Sequence, residues 1–142
     1  MQEELDTFLT RWEDNSLRVK KSFVLLKNYL ADKTEITFAF KARPGVSYSL
    51  RVRHREQTTR ELFVIMDVID EPDNRWLSIC FYPDMITDPD DKGVLIPLGL
   101  LGEDGYCFDF EEWDEEYVEY LKTRLDEAYE KASKEFASRK RA

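Results

Sequence analysis

The stretch at residues 61–69 is apolar on both of its alternating faces. These positions fall into two sets, one with Leu62, Val64, Met66 and Val68 and the other with Phe63, Ile65 and Ile69. A short run that is apolar on both faces and rich in β-branched residues is typical of a strand inside a sheet. We therefore expect a central strand here, covered on both sides and interrupted only by Asp67.

Residues 3–31 carry apolar side chains at a heptad spacing that is typical of an amphipathic helix. One unbroken helix would be about 42 Å long, whereas a domain of this size is only about 40 Å across. The side chains at 14–16, Asp-Asn-Ser, are of the kind that cap helices. The pattern predicts a kinked helix or two helices. The alternative is one long helix whose protruding half binds a second copy through Leu5, Leu9 and Trp12.

Residues 35–54 alternate in the manner of a β-hairpin, with Pro44 and Gly45 at the turn. A two-residue loop at 44–45 would place Phe40 opposite Ser49 on one face. Only a loop with an odd number of residues, or a bulge, would place Phe40 on the same face as Leu50. The pattern therefore predicts a three-residue turn or a bulge near residues 43–46.

The rest of the chain predicts two more strands, at 76–82 and 106–110, and a C-terminal helix. Between those strands lie an acidic loop at 83–93 and an irregular edge or wrap-around segment at 94–105. Asp109 and Glu112 have the spacing of a helix-capping box. The buried stripe of that helix is expected at Val118, Leu121, Leu125, Ala128, Ala132 and Phe136.

This order of elements predicts an α+β fold with a mostly antiparallel sheet of about five strands. We expect one domain over 1–142, with a helical segment at 1–31 and the sheet within 35–110. The C-terminal helix is expected at 110–138, followed by a basic tail at 139–142.

Charge is distributed unevenly along the chain. The formal net charge is −9, which argues against nucleic-acid binding by the whole surface. Residues 41–60 nevertheless hold six lysines and arginines against the single acid Glu56. No apolar run approaches the roughly 20 residues that cross a bilayer, and the acidic N-terminus does not resemble a secretory signal. We therefore expect a cytoplasmic protein without a membrane partner, in which Cys80 and Cys107 are buried free thiols.

His54 is the only histidine, and it is in phase with the apolar residues Leu50 and Val52. A general base paired with Cys107 and Asp109 can be imagined. No nucleophile signature surrounds Cys107, however, and Asp109 is assigned to the helix cap. A structural histidine is the expectation, with no catalytic residue assigned and catalysis by His54 kept as an alternative.

Metal and cofactor motifs are absent from the sequence. The loop 88–93 begins like a calcium-binding loop, with acids at positions one and three and glycine at six. It then departs from that pattern, because Lys92 is at position five and Gly99 is at position twelve, where a bidentate glutamate is required. One histidine and no Cys-x-x-Cys pair leave no structural zinc site. No phosphate-binding or dinucleotide-binding motif occurs, so we expect no metal and no cofactor.

The strongest functional feature is a set of bases on the predicted hairpin, at Lys41, Arg43, Arg51, Arg53 and Arg55. Arginine forks bind carboxylates and phosphates equally well. The alternative without a binding role is that acids of the same chain, such as those in the first turns of the C-terminal helix, pair with these bases. We expect a non-catalytic module that binds a protein partner or a second copy. The alternative is a binder of an anionic small molecule or single-stranded nucleic acid.

Overall fold

The computed structural model describes residues 2–71 and 74–141, with side chains described for 3–71 and 74–134. The predicted buried side chain of Phe136, and Ala142 in the predicted tail, lie outside that part. Three helices are present, α1 (Gln2–Arg11), α2 (Val19–Ala31) and α3 (Glu115–Arg141). The strands are β1 (Ile36–Arg43), β2 (Ser47–His54), β3 (Val64–Asp70), β4 (Arg75–Phe81), β5 (Val94–Leu100) and β6 (Glu103–Phe110). A short 3₁₀ turn, Pro83–Met85, follows β4.

The strands form one antiparallel sheet in the order β1-β2-β3-β4-β6-β5. The α+β class and the central position of β3 are confirmed. The sheet in the described part of the chain has six strands and not five, because β5 is a strand. We expected an irregular edge or wrap-around segment there. β5 does form the edge of the sheet, and its pairing with β6 shifts register between Ile96 and Leu100.

All three helices pack on one face of the sheet, which we call the helix face. Phe8 of α1 stacks on Tyr48 with ring centroids 4.1 Å apart, and Tyr120 of α3 meets Phe108 edge-on. Phe23 and Leu26 of α2 are fully buried in the same core. The expectation that the central strand is covered on both sides holds for the helix face. No helix of the described chain lies over the opposite face, although Ile65 there is only 8 % exposed.

The β1–β2 turn has the predicted odd number of residues. Arg43 pairs with Ser47, which leaves three residues between the strands, and Phe40 lies opposite Leu50. The amide of Val46 donates a hydrogen bond to the carbonyl of Arg43 at 2.9 Å. Gly45 has a φ of 81°, a left-handed conformation that favours glycine.

The N-terminal segment is two helices, as the Asp-Asn-Ser run predicted. The carboxylate of Asp14 accepts hydrogen bonds from the backbone amides of Lys20 and Lys21, at 3.2 and 3.1 Å. These are amides in the first turn of α2, which have no partner within their own helix. Asp14 therefore stabilises the start of the second helix.

The cap predicted for the C-terminal helix is wrong. Asp109 lies within β6, and α3 begins six residues later at Glu115. Asp114 is the cap, because its carboxylate accepts a hydrogen bond from the amide of Tyr117 at 3.2 Å. The buried stripe is as predicted where side chains are described, at Val118, Leu121, Leu125, Ala128 and Ala132.

Cys80 and Cys107 form a disulfide between β4 and β6. The two residues are direct partners across the ladder, so their side chains leave the same face of the sheet. The expectation of two free thiols is therefore wrong. Persistent disulfides are typical of oxidising compartments, so these two cysteines give no support to the expected cytoplasmic location.

Candidate functional site

The face of the sheet opposite the helices is the candidate site, and we call it the uncovered face. One row of partners runs straight across five strands of this face: Lys41, Ser49, Asp67, Ser78 and Asp109. A neighbouring row holds Ala39, Arg51, Ile65, Cys80, Cys107 and Val94. Because side chains alternate along each strand, every member of these rows points away from the helices.

Four bases are concentrated on the β1–β2 side of this face, at Lys41, Arg43, Arg51 and Arg53. We call these four residues the cationic patch. Lys41, Arg43 and Arg53 are exposed and Arg51 is half-buried. Within the described residues, none of the four forms an ion pair; the ordered contact is from the Arg53 guanidinium to the Gln57 carbonyl, at 2.7 Å. The patch therefore has donors available for a partner.

The fifth predicted base, Arg55, and the nearby Arg60 are placed differently. Arg55 lies beyond the end of β2 and approaches Glu35 at 3.9 Å, in an exposed ion pair. Arg60 binds Asp84 at 2.7 Å and Glu103 at 2.9 Å, so its charge is neutralised within the chain. The alternative that acids of α3 pair with the hairpin bases is wrong for the described residues, because α3 lies on the helix face.

Asp67 is the one carboxylate next to the cationic patch on β3. Burial raises the pKa of Asp67, and the Ser49 hydroxyl together with the charge of Arg51 offsets only part of that rise. Oδ1 of Asp67 and Nε of Arg51 are buried without a hydrogen-bond partner among the described residues. The centre of the patch thus combines unfilled donor and acceptor positions with a net positive charge.

Towards β4 and β6 the uncovered face carries apolar side chains beside the polar pair Ser78 and Asp109. Ile69 and Trp76 are direct partners and both are half-buried. Ile65 and the Cys80–Cys107 disulfide lie two rows away, beyond the polar row of Asp67, Ser78 and Asp109, and Ile65, Cys80 and Cys107 are each at most 9 % exposed. The face therefore carries its bases on the β1–β2 side, which is its charged half. It carries the half-buried pair Ile69 and Trp76 on the β3–β4 side, which we call its apolar half.

A second exposed surface lies at the β5 edge. Five large apolar side chains are exposed there, Val94 (61 %), Leu95 (48 %), Ile96 (42 %), Leu98 (72 %) and Leu101 (46 %). We call these residues the edge patch. We did not predict this surface, although a signal for it exists: the ten residues 93–102 contain no charged side chain.

His54 is a buried structural residue on the helix face. Its ring lies 5.4 Å from the ring of Tyr129, and its Nδ1 accepts a hydrogen bond from the amide of Glu56 at 3.1 Å. Cys107 and Asp109 belong to the uncovered face, and Cys107 is in a disulfide. The geometry does not bring together the three residues of the catalytic alternative.

The residues predicted for self-association pack against the core of their own chain. Leu5 and Trp12 are buried, and Leu9 packs partly buried against the same core. Trp12 lies 6.0 Å from Phe23, between ring centroids, so α1 folds back onto its own domain. The alternative of one long helix with an exposed apolar half is therefore wrong for the described chain.

The loop that begins like a calcium site is held by its own chain. Both oxygens of Asp88 are used, by the hydroxyls of Tyr106 and Tyr120 and by the amides of Lys92 and Gly93. Although burial favours the neutral acid, these donors hold the pKa of Asp88 well below its usual value. No cluster of potential metal ligands occurs among the described residues.

Comparison of the chain with models of known protein families, with curated proteins and with solved structures gave no match. No helix of the described chain is long and apolar enough to cross a membrane.

Proposed function

We propose that the chain is a non-catalytic protein-interaction module that binds an acidic polypeptide segment across the uncovered face of its sheet. The observation that supports this most directly is the state of the cationic patch. Four bases lie on one uncovered surface, and in the described part of the chain none of them is paired with a carboxylate. Arginine and lysine in this state suit the carboxylates of a partner.

The apolar half of the uncovered face gives the same partner a second means of binding. Trp76 and Ile69 lie on the same sheet surface as the patch. Ser47 on β2 and Arg43 on β1 continue their row. Six strands are about 24 Å wide, so an extended segment of about 10 residues would cross both halves. Such a segment would bury apolar side chains near β4 and ion-pair near β1.

A polypeptide explains this surface better than a nucleic acid does. The net charge of −9, and Asp67 and Asp109 on the face itself, oppose a nucleic acid with a charge on every phosphate more strongly than a peptide whose acids alternate with apolar residues. Single-stranded nucleic acids also require successive aromatic platforms, whereas Trp76 is the one aromatic residue in the described rows of this face.

A small anionic ligand bound through the cationic patch is also less well supported, although a cleft on the helix face has two bases of its own, Arg11 and Arg75. Small-molecule sites are concave and mostly apolar. The patch lies on the surface of a sheet, whereas a cleft of about 610 Å³ opens on the helix face beside Phe8, Trp12 and Tyr48. The bases of the patch are not among the residues that line this cleft.

The test is a binding titration with two labelled peptides of about 10 residues, one alternating Glu with Leu and one alternating Lys with Leu. Lys41→Glu plus Arg43→Glu changes the patch by four charge units at exposed positions. We expect this variant to bind the Glu-Leu peptide at least about tenfold more weakly than the unchanged protein does. Binding to the unchanged protein should also weaken as salt is added.

The matched control is Arg11→Glu plus Lys134→Glu, which makes the same change of charge at exposed positions on α1 and α3. It should leave the affinity for the Glu-Leu peptide within about twofold, because neither residue is on the uncovered face. Equal losses in both variants would show only a response to total charge and would reject the proposal. Tighter binding of single-stranded oligonucleotides than of the peptide would reject it in favour of the nucleic-acid alternative.

A further inference from the structure

The edge patch on β5 is an interaction surface in its own right, separate from the cationic patch. We infer that it binds a second partner segment of opposite character, an apolar segment flanked by basic residues. Five of the six large apolar side chains that are exposed in the described chain belong to this patch. Val94 and Ile96 point to the uncovered side of the edge strand and Leu95 to the other side, so exposed apolar side chains line both sides of this edge. A concentration of exposed apolar side chains of this kind on a monomer is typical of a binding site.

The patch is built to bind through its side chains and not by adding a strand. Pro97 lies in the middle of β5 and has no amide hydrogen to offer a neighbouring strand. Leu98 has a φ of 55°, and its amide donates to Asp104 at 3.1 Å, so that donor is already used. The backbone at this edge therefore cannot continue the ladder through its centre, while Leu98 is held outward with 72 % of its surface exposed.

Acidic residues surround this apolar surface, and they determine the character of the partner. Asp90 and Asp91 are exposed just before β5, and Glu103 and Asp104 are exposed just after it. Arg60 neutralises part of the charge of Glu103, and Lys92 is the one base in the sequence between Asp90 and Asp104. The rim remains acidic, so basic flanks on a bound segment would complement it.

The acidic rim also argues against two other occupants, a second copy of the chain and an anionic membrane surface. Two copies joined through their β5 edges would bring like-charged rims together, which costs free energy. An anionic membrane surface would be repelled for the same reason. A basic, apolar polypeptide is the occupant that satisfies both the centre and the rim.

The experiment uses the full chain and two labelled peptides of about 12 residues that share a Leu-Val centre, one flanked by lysines and the other by glutamates. Val94→Ser plus Leu98→Asn removes two exposed apolar side chains, and asparagine tolerates the left-handed conformation at 98. We expect this variant to bind the lysine-flanked peptide about tenfold more weakly than the unchanged protein. Val46→Ser, at the sixth exposed apolar position, is the matched control and should change the affinity by less than about twofold.

Circular dichroism before each titration establishes that the variants are folded. Equal affinity for the two peptides, or no loss in the β5 variant, would overturn the inference. A concentration-dependent dimer in sedimentation that disappears in the β5 variant would also overturn it, because the occupant would then be a second copy. Lys41→Glu plus Arg43→Glu should leave the lysine-flanked titration unweakened, which separates this inference from the proposed function.

Discussion

The hydroxyl of Tyr106 on β6 donates a hydrogen bond to the carboxylate of Asp88 at 2.6 Å. Tyr120 of α3 donates to the same carboxylate, so one acid in the acidic loop joins the sheet to the C-terminal helix. The amides of Lys92 and Gly93, immediately before β5, complete its set of donors. Asp88 therefore controls where the edge strand begins.

We predict that Asp88→Asn lowers the free energy of unfolding by roughly 2–3 kcal/mol, because charge-assisted hydrogen bonds are lost and tyrosine donors are left without a full partner. Urea titration at neutral pH measures this loss. Asp90→Asn is the control, since the Asp90 carboxylate is exposed and its backbone amide, not its side chain, bonds Tyr120.

The Asp88 effect should also depend on pH in a defined direction. The pKa of Asp88 is lowered in the folded state, so its contribution is fully present above the unfolded value of about 3.9 and is lost as pH falls towards the folded value. The difference between the unchanged protein and Asp88→Asn should shrink on acidification. A difference that grows as pH falls would contradict this account.

Asp67 should show the opposite dependence. Burial raises its pKa in the folded state, so the folded protein keeps this proton at pH values where the unfolded chain has lost it. Stability is then lost as pH rises from about 3.9 through the folded value. We predict that Asp67→Asn gains stability relative to the unchanged protein across that interval, as measured by urea titrations at a series of pH values. A difference that does not change with pH would contradict the burial of this carboxyl group.

The β1–β2 turn gives a prediction about backbone conformation. A Cβ added at Gly45 would meet no atom within 4 Å, so the cost of Gly45→Ala arises from its φ of 81° alone. We expect a loss of roughly 1–2 kcal/mol for Gly45→Ala and a smaller loss for Gly45→Asn, because asparagine tolerates this conformation. Thermal unfolding of the two variants measures the difference, and equal losses would argue against the three-residue turn.

The Cys80–Cys107 disulfide closes a separation of 27 residues. Replacing both cysteines by alanine should lower the free energy of unfolding by roughly 3 kcal/mol, since the unfolded chain gains freedom. Adding reductant to the unchanged protein should lower its stability in urea by a similar amount. Detection of two free thiols in the denatured, unreduced protein would show that the bond is absent.

Features set by local pattern were predictable from the sequence. The odd loop at Pro44 and Gly45 follows from the period of two in strands, because only that parity places Phe40 opposite Leu50. The helix break follows from the Asp14 side chain, which caps the next helix through Lys20 and Lys21.

Features that depend on distant parts of the chain were not predictable in the same way. The disulfide requires β4 and β6 to be neighbours, although a helical turn and β5 separate them in sequence. Pro97 and Gly99 resemble loop residues, yet pairing with β6 holds this segment as a strand. Four of the five predicted bases are on the uncovered face as alternation requires. Whether the acids of α3 reach them depends on which face of the sheet that helix covers.

The central claim is that the cationic patch binds an acidic segment, and mapping of backbone amide shifts by NMR tests it most directly. Titration with the Glu-Leu peptide should produce its largest shift changes at Lys41, Arg43 and Arg51 on β1 and β2. Those changes should disappear in Lys41→Glu plus Arg43→Glu. Changes concentrated on α1 and α2, or no saturable changes at any residue, would contradict the claim.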